Sequence, residues 1–435
     1  MTSSQLITLA VLAAVVAALI WDKHRSDVVA LAGAAVLLIT GVVRPVEVQS
    51  AFASPAIIAL ASLFVITYAM ELSGLLDAAI RQVKGLCRRI GKAGLWVMIG
   101  LAGAASAFLN NTPVVVLAAP VVRDVSRSLG LSPKRFLIPL SYAAVLGGCC
   151  TLIGTSTNLL VNDMAAVSGQ PRFSIFEITP VGLAVALAGG AYLMIVGHRL
   201  VRADDGKDAP LDTSDVGEPG LAGGQIGMAM SFAEQVPLRP LAAVVSAVVF
   251  AGVIALAAFN VAPIAACAFA GAVLLILMRV ISADEAYRGL RPEVLILIAG
   301  MVVLGIALDV TGLAGEVTRG LIGSLEEVSP LLALVAIYGV TLFATELLSN
   351  ATVAVLFTPI AVSIAEALGV SPRPFLVAVM IAGSAAFATP FGYQTNVVVY
   401  QMGGYNYLDF VRVGIPLNLI TWVVGVTAIL VWFPF

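Results

Sequence analysis

Charge is what this chain has least of: 11% of its 435 residues are Asp, Glu, Lys or Arg, against about 25% in a soluble domain. With 23 basic and 25 acidic residues the formal charge is -2. There is no basic stripe, which excludes nucleic acid as a partner. Histidine occurs twice, at His24 and His198, and neither stands in an HExxH arrangement. The four cysteines form no CxxC pair and no secreted disulfide framework; adjacent Cys149 and Cys150 read as small packing residues. No cluster of nucleophile, base and orienter appears, so an enzyme is not expected. What is present is apolar: 60% hydrophobic residues and 40 glycines, with mean hydropathy +1.05. Lipid rather than water is the main solvent of such a chain.

A bilayer-crossing helix needs roughly 20 mostly apolar residues. Ten segments meet that length, near residues 5–21, 27–43, 55–75, 135–165, 175–199, 238–258, 262–280, 293–312, 372–402 and 409–433. Two further apolar stretches are interrupted by polar knots, Asn110-Asn111-Thr112-Pro113 and Ser349-Asn350-Ala351-Thr352. A broken backbone at membrane depth survives only where protein or a wet cavity satisfies it. Residues 94–128 and 330–366 are therefore predicted to be re-entrant hairpins. With the N-terminus outside, 19 of the 23 Lys and Arg residues fall on inner connections, as the positive-inside rule requires. The bias holds only if both broken stretches are hairpins, and it places both termini outside the plasma membrane. Arg81 to Lys92 reads as an amphipathic inner-surface helix. The first apolar segment lacks a basic leader and a small-residue cleavage site, and reads as a retained helix.

The halves overlay at an offset of 238 or 239 residues. Asn111 falls on Asn350, Pro120 on Pro359, Leu129-Gly130-Leu131-Ser132-Pro133 on Leu368-Gly369-Val370-Ser371-Pro372, and Gly154, Thr157 and Asn158 on Gly392, Thr395 and Asn396. Each copy holds five crossings and a hairpin, and an odd number of crossings inserts the second copy upside down. The expected organisation is a first inverted repeat at 1–201, an acidic cytoplasmic linker at 202–235 and a second repeat at 236–435. The expected fold is an all-α polytopic membrane protein with unwound helices at the midplane, the architecture of secondary transporters.

Four knots carry the candidate site: the two hairpin tips, and the stretches Gly154-Thr155-Ser156-Thr157-Asn158 and Thr389 to Asn396 in the helices that follow. A helix restarting at a knot presents free N–H groups and about half a positive charge, which suits an anion. A helix ending there presents carbonyls, and Asn, Ser and Thr can both donate and coordinate. Substrate contacts are expected from Asn110, Asn111, Thr112, Thr157, Asn158, Ser349, Asn350, Thr352, Thr395 and Asn396. Sodium is expected near Asn111, Gly154, Thr155, Ser156 and Asn158, and near Asn350, Thr389, Gly392, Gln394 and Asn396. No Lys or Arg lies in any knot, so a bound dianion needs co-bound cations to balance it. Each net charge moved is worth roughly 2.3 kcal/mol per 100 mV. Glu71 and Asp309 read either as proton carriers or as helix-end residues; Glu346 lies either near the site or on a solvent-facing hairpin limb. Tyr393, Tyr400, Tyr405 and Tyr407 are expected at the interface, with Tyr393 also placed to line the site.

At Asn110-Asn111-Thr112-Pro113-Val114-Val115, at residues 151–161 (TLIGTSTNLLV) and at residues 389–396 (TPFGYQTN), the chain resembles the divalent anion:sodium symporter family of the ion transporter superfamily, in the wording of its sulfate-permease-like branch. The resemblance covers nearly the whole chain. It implies an elevator-type transporter, usually a homodimer, with a scaffold and a moving domain. It also implies that a Ser-Asn-Thr motif at each hairpin tip contacts substrate and sodium; here those positions hold Asn110-Asn111-Thr112 and Ser349-Asn350-Ala351. Ala351 stands where the family has Thr, with Thr352 beside it. Relatives of this branch often carry a pair of soluble regulatory domains in the central loop, and only the acidic linker stands there in this chain.

The expectation is sodium-coupled symport of a divalent oxyanion, sulfate first and a C4-dicarboxylate second. The alternative from the same superfamily is a sodium/proton antiporter or an arsenite-type export permease, which would require a titratable carboxylate at the site.

Overall fold

The structure, a computed structural model, describes residues 2–21, 24–201, 237–259, 261–313 and 328–435. The expected linker at 202–235 lies outside them. All regular elements among the described residues are helices. In the first half these are α1 (Ser3–Trp21), α2 (Ser26–Ile39), α3 (Pro45–Phe52), α4 (Pro55–Leu72), α5 (Leu75–Ile90), α6 (Lys92–Ser106), α7 (Asn111–Ser128), α8 (Lys134–Gly148), α9 (Ser156–Val167) and α10 (Thr179–Tyr192), which runs on through a π turn at Leu193–Gly197. The second half contains α11 (Pro240–Ala258), α12 (Ile264–Leu277), α13 (Ala283–Gly289), α14 (Pro292–Val310), α15 (Pro330–Ala344), α16 (Asn350–Ala367), α17 (Arg373–Ser384), α18 (Gln394–Gly403) and α19 (Tyr407–Trp432). Every one of the ten expected spans lies on helix. Among the described residues six helices are long and apolar enough to cross a membrane, and at 1.5 Å per residue a 19-residue helix reaches about 28 Å. This is a multi-pass membrane protein.

The two stretches expected as hairpins are helical hairpins. α6 packs on α7 and α15 on α16, each pair joined by a few residues at the polar knot. The spans expected at 135–165 and 372–402 are each broken, between α8 and α9 and between α17 and α18. The expected surface helix at 81–92 falls on α5, which begins at Leu75 and packs on α6 and α7. The short helices α3 and α13 had no expectation in the sequence, because eight and seven residues are too few for a periodic signal. Each is started by a carboxylate three residues into it: Glu47 accepts from the Arg44 amide at 2.7 Å and Glu285 from the Ser282 amide at 2.8 Å.

Packing is reciprocal between the halves. α2 lies against α14, and α4 against α12; α7 lies against α18, and α9 against α16. The helices therefore sort into two groups, α1–α4 with α11–α14, and α5–α10 with α15–α19. The groups meet mainly where α9 touches α4 and α14 and where α4 touches α5. The buried core runs through both, and α17 is its most enclosed element, with Phe375, Leu376, Val377, Val379, Met380 and Ile381 all fully buried. Lipid tails are as apolar as these side chains, so close packing between helices, rather than transfer out of water, holds the broken helices in place from behind.

Candidate functional site

The knots are helix starts, and their side chains do the capping. Asn110 Oδ1 accepts from the Thr112 amide at 3.2 Å, Thr155 Oγ1 from the Thr157 amide at 3.4 Å and Ser349 Oγ from the Thr352 amide at 3.2 Å. An N-cap of this kind stabilises a helix by about 1 kcal/mol. α7, α9 and α16 thus begin where the sequence is most polar.

The four knots come together in one place. Asn111 Nδ2 donates to the Tyr393 hydroxyl at 2.8 Å, and Thr112 Oγ1 to Gln394 Oε1 at 3.1 Å, tying the first hairpin tip to the second break. Tyr393 also hydrogen-bonds Thr155 in the first break. The first break meets the second hairpin across Gly383: Thr157 Cγ2 lies 3.4 Å from where a Cβ on Gly383 would sit, while Thr345 Oγ1 bonds Gly383 O and Asn350 Oδ1, each at 2.9 Å.

Within the breaks the halves use the same parts. Thr151 and Thr389 each accept, through the hydroxyl, from the amide of the glycine three residues on, Gly154 at 3.1 Å and Gly392 at 3.0 Å. Asn158 Nδ2 donates to Thr151 O at 2.9 Å and Asn396 Nδ2 to Thr389 O at 3.1 Å. A carbonyl only accepts, so each amide's nitrogen faces the chain and its oxygen is the atom left over. Asn396 Oδ1 accepts from Ser141 at 2.7 Å. Asn158 Oδ1 and Asn111 Oδ1, both buried, have no protein partner.

Not all expected site residues have their polar atoms free. Thr395 Oγ1 is bonded to Ser141 at 2.8 Å, and the Thr352 and Ser349 hydroxyls are bonded to each other at 2.7 Å. Ser156, Ser349 and Gln394 are exposed, whereas Asn111, Thr112, Gly154, Thr155, Thr157, Asn158, Thr395 and Asn396 are buried. A small cleft of about 40 Å³ lies between α4 and the first-half knots, lined by Leu60, Leu63, Phe64, Asn110, Gly154 and Ser156 among others.

Of the two readings open for Glu346 the one beside the breaks holds, and the expectation for Tyr405 needs correction. Glu346 is not on a solvent-facing limb: it is 9% exposed, and its carboxylate accepts from the amides of Phe387, Ala388 and Thr389 at 2.8, 2.7 and 2.9 Å and from Asn418 Nδ2 at 2.7 Å. Tyr405 is not interfacial: it is buried, accepts from the Ile138 amide at 3.1 Å and donates to Lys134 O, because its ring fills the space beside Phe410. Tyr407 is exposed. Glu71 lines a second cleft with Thr67, Met70, Leu109 and Pro113, and Asp309 is exposed near the end of α14. Sequence reasoning missed Ser141, Thr345 and Asn418, and Tyr142, whose hydroxyl donates to Phe387 O in the second break; the shared Thr-x-x-Gly spacing at 151–154 and 389–392 was the signal for the two turn threonines.

The sequence profile of the family described as citrate transporter matches residues 16–363 and 347–434, between them nearly the whole chain. The chain belongs to the citrate transporter family. That family lies within the divalent anion:sodium symporter superfamily, so the resemblance read from the knots holds, and the protein is a membrane transporter. An uncharacterized transporter of Synechocystis sp. is 24% identical over 583 aligned positions, covering 95% of each chain. The alignment is longer than the 435 residues here, so that relative carries segments this chain lacks. Sodium/sulfate cotransporter 1 of Chlamydomonas reinhardtii is 45% identical over 97 residues, 21% of this chain and 11% of that one. The crystal structure of the Alcanivorax borkumensis YdaH transporter has the same fold, with a TM-score of 0.57 at 14% identity over 88% of this chain and 87% of that one.

Proposed function

We propose that the protein is a sodium-coupled symporter of a small divalent oxyanion, sulfate first and a C4-dicarboxylate second. The observation that carries the cation is Asn158 Oδ1, a buried acceptor with no protein partner. Leaving such a group unbonded costs about 1–3 kcal/mol, and a hard monovalent cation coordinated there removes the cost. Asn111 Oδ1, Gly154 and Thr155 complete the first cation site; Asn350, Thr389 and Gly392 form the second. Sodium is cargo in this scheme. The dianion sits between them on the first-turn amides of α7, α9 and α16, with Asn110, Ser156 and Ser349 at the rim.

The movement belongs to the same reading. α1–α4 and α11–α14 are the scaffold, and the hairpin group slides against it as an elevator. The reciprocal packing supports two repeats of inverted topology. Ser54, which caps α4, donates to Asp163 Oδ2 at 3.2 Å, and Arg172 pairs with Asp163 Oδ1 at 3.1 Å. With the termini outside, that seam closes the outer face, and the cleft beside Asn110 faces inward. The cotransporter names of the shorter matches support sodium and sulfate; the family description supports a carboxylate as the next candidate.

The test is uptake of labelled sulfate and labelled succinate into proteoliposomes with and without a sodium gradient. Sodium is expected to stimulate uptake of one of them, and the double variant N111A/N350A to abolish it while remaining folded. Equal uptake with and without sodium removes the coupling. One observation favours a second reading, proton coupling: Glu71 lines a cleft beside the first hairpin tip. In that case a proton gradient drives uptake and E71Q abolishes it.

A further inference from the structure

The two breaks are built alike except in charge. In the first, the position corresponding to Glu346 at the 239-residue offset is Ala107, whose backbone oxygen accepts from the Thr151 hydroxyl. The hydrogen-bond partners of Asn111, Gly154 and Asn158 are the neutral Tyr393 hydroxyl, Thr151 hydroxyl and Thr151 carbonyl, and Glu71 stands outside these contacts, in the cleft beside Leu109 and Pro113. In the second, three successive backbone amides and Asn418 close on the Glu346 carboxylate at 2.7 to 2.9 Å. Its Oε2 lies 3.4 Å from where a Cβ on Gly392 would sit, and its own carbonyl accepts from Thr389 Oγ1 at 3.2 Å. The negative charge is therefore pressed against Thr389 and Gly392, two of the three residues assigned to the second cation, inside protein where salt screens it little.

We propose that Glu346 makes the two cation half-sites unequal, so that the second fills with sodium before any anion is bound and the first fills only together with the anion. The inference rests on the sodium-coupled reading above. A cation entering the first site meets dipoles alone, and its charge stays uncompensated until the dianion arrives beside it. A cation entering the second site meets a fixed carboxylate already in place. Three amide donors are also consumed by Glu346, so they are not available to the substrate anion, and the same carboxylate repels a dianion from that break. Glu346 touches no cargo; it acts on the site through its field and by holding residues 387–389 in position.

The test is the thermal stability of the full-length protein in detergent during sodium titration, with choline replacing sodium at constant ionic strength, with and without saturating sulfate. Wild type is expected to be stabilised by sodium alone and further by sodium with sulfate. In E346Q the amide oxygen keeps the three bonds made by Oε1 and the charge is lost. Its half-saturating sodium concentration without sulfate is expected to rise at least tenfold, while the sulfate-linked response remains. N158A is expected to do the reverse, and N418A, which keeps the charge, to stay within about twofold of wild type. An unchanged sulfate-free response in E346Q overturns the inference, as does an equal weakening of both responses, which loss of a structural tie would produce. A tenfold loss in N418A overturns it too. If E346Q is not recovered folded, N158A decides: loss of its sulfate-free response sinks the proposal. A wild type that neither responds to sodium nor takes up anion faster with it refutes sodium coupling itself.

Discussion

Asn158 illustrates how a single atom separates two roles for one residue. Its nitrogen does structural work on the Thr151 carbonyl, and its oxygen, buried with no protein partner, is what the residue has left to offer a ligand. Tyr393 stands one step behind: its hydroxyl takes the Asn111 amide at 2.8 Å and fixes which way that side chain points. Tyr393→Phe removes the bonds to Asn111 and Thr155, of which the one that orients Asn111 is worth about 1 kcal/mol. The expected result is about fivefold weaker sodium activation of sulfate uptake with the maximal rate retained, read from the sodium dependence of initial rates. The polar residues of the knots were legible in the sequence because polarity inside an apolar run is conspicuous. The role of Glu346 was not, since three of its four partners are backbone amides, which no side-chain pattern reveals.

At the level of helices, each break is backed by a glycine of the second helix after it. A Cβ on Gly182 of α10 would lie 2.4 Å from Cys149 O, and one on Gly414 of α19 would lie 2.1 Å from Phe387 O. No side chain fits at either place. Gly182→Ala and Gly414→Ala are expected to cost about 1–3 kcal/mol by overpacking and to displace the breaks. Uptake should therefore fall further than the melting temperature accounts for; variants with full uptake would show that the breaks tolerate the shift. The surface helix α13 gives a pH prediction. The Ser282 amide and hydroxyl hold the Glu285 carboxyl below its ordinary value, so its contribution is complete above the usual glutamate range and is lost as pH falls through the depressed value. Amide exchange in α13, corrected for intrinsic rates, should accelerate below about pH 4 in wild type, and S282A should show faster exchange already at neutral pH. The spans and hairpins were readable from hydropathy and charge. α3 and α13 were not, because their starts depend on capping carboxylates rather than on periodicity.

For the whole molecule, the seam at Ser54, Asp163 and Arg172 joins the two helix groups, and the elevator stroke proposed above would have to open it. In a background with the native cysteines replaced by alanine, an oxidised S54C/D163C pair should reduce sulfate uptake to background and a reductant should restore it. Unchanged uptake in the cross-linked protein would remove sliding of α9 past α4 from the mechanism. Two similar halves could be read from the offset of conserved spacing; how they interlock could not, because offset matches say which residues correspond and nothing about which ones touch.

That interlocking bears on how the chain is made. α2, α4 and α9 each have their principal partner in the other half, and α7 packs on α18 there. A ribosome that has released the first ten helices has produced polar knots whose matching surfaces are still untranslated. Until the second half emerges, those half-built breaks must wait in the membrane, which makes the completion of synthesis, rather than the insertion of any one helix, the moment at which the transporter acquires its site.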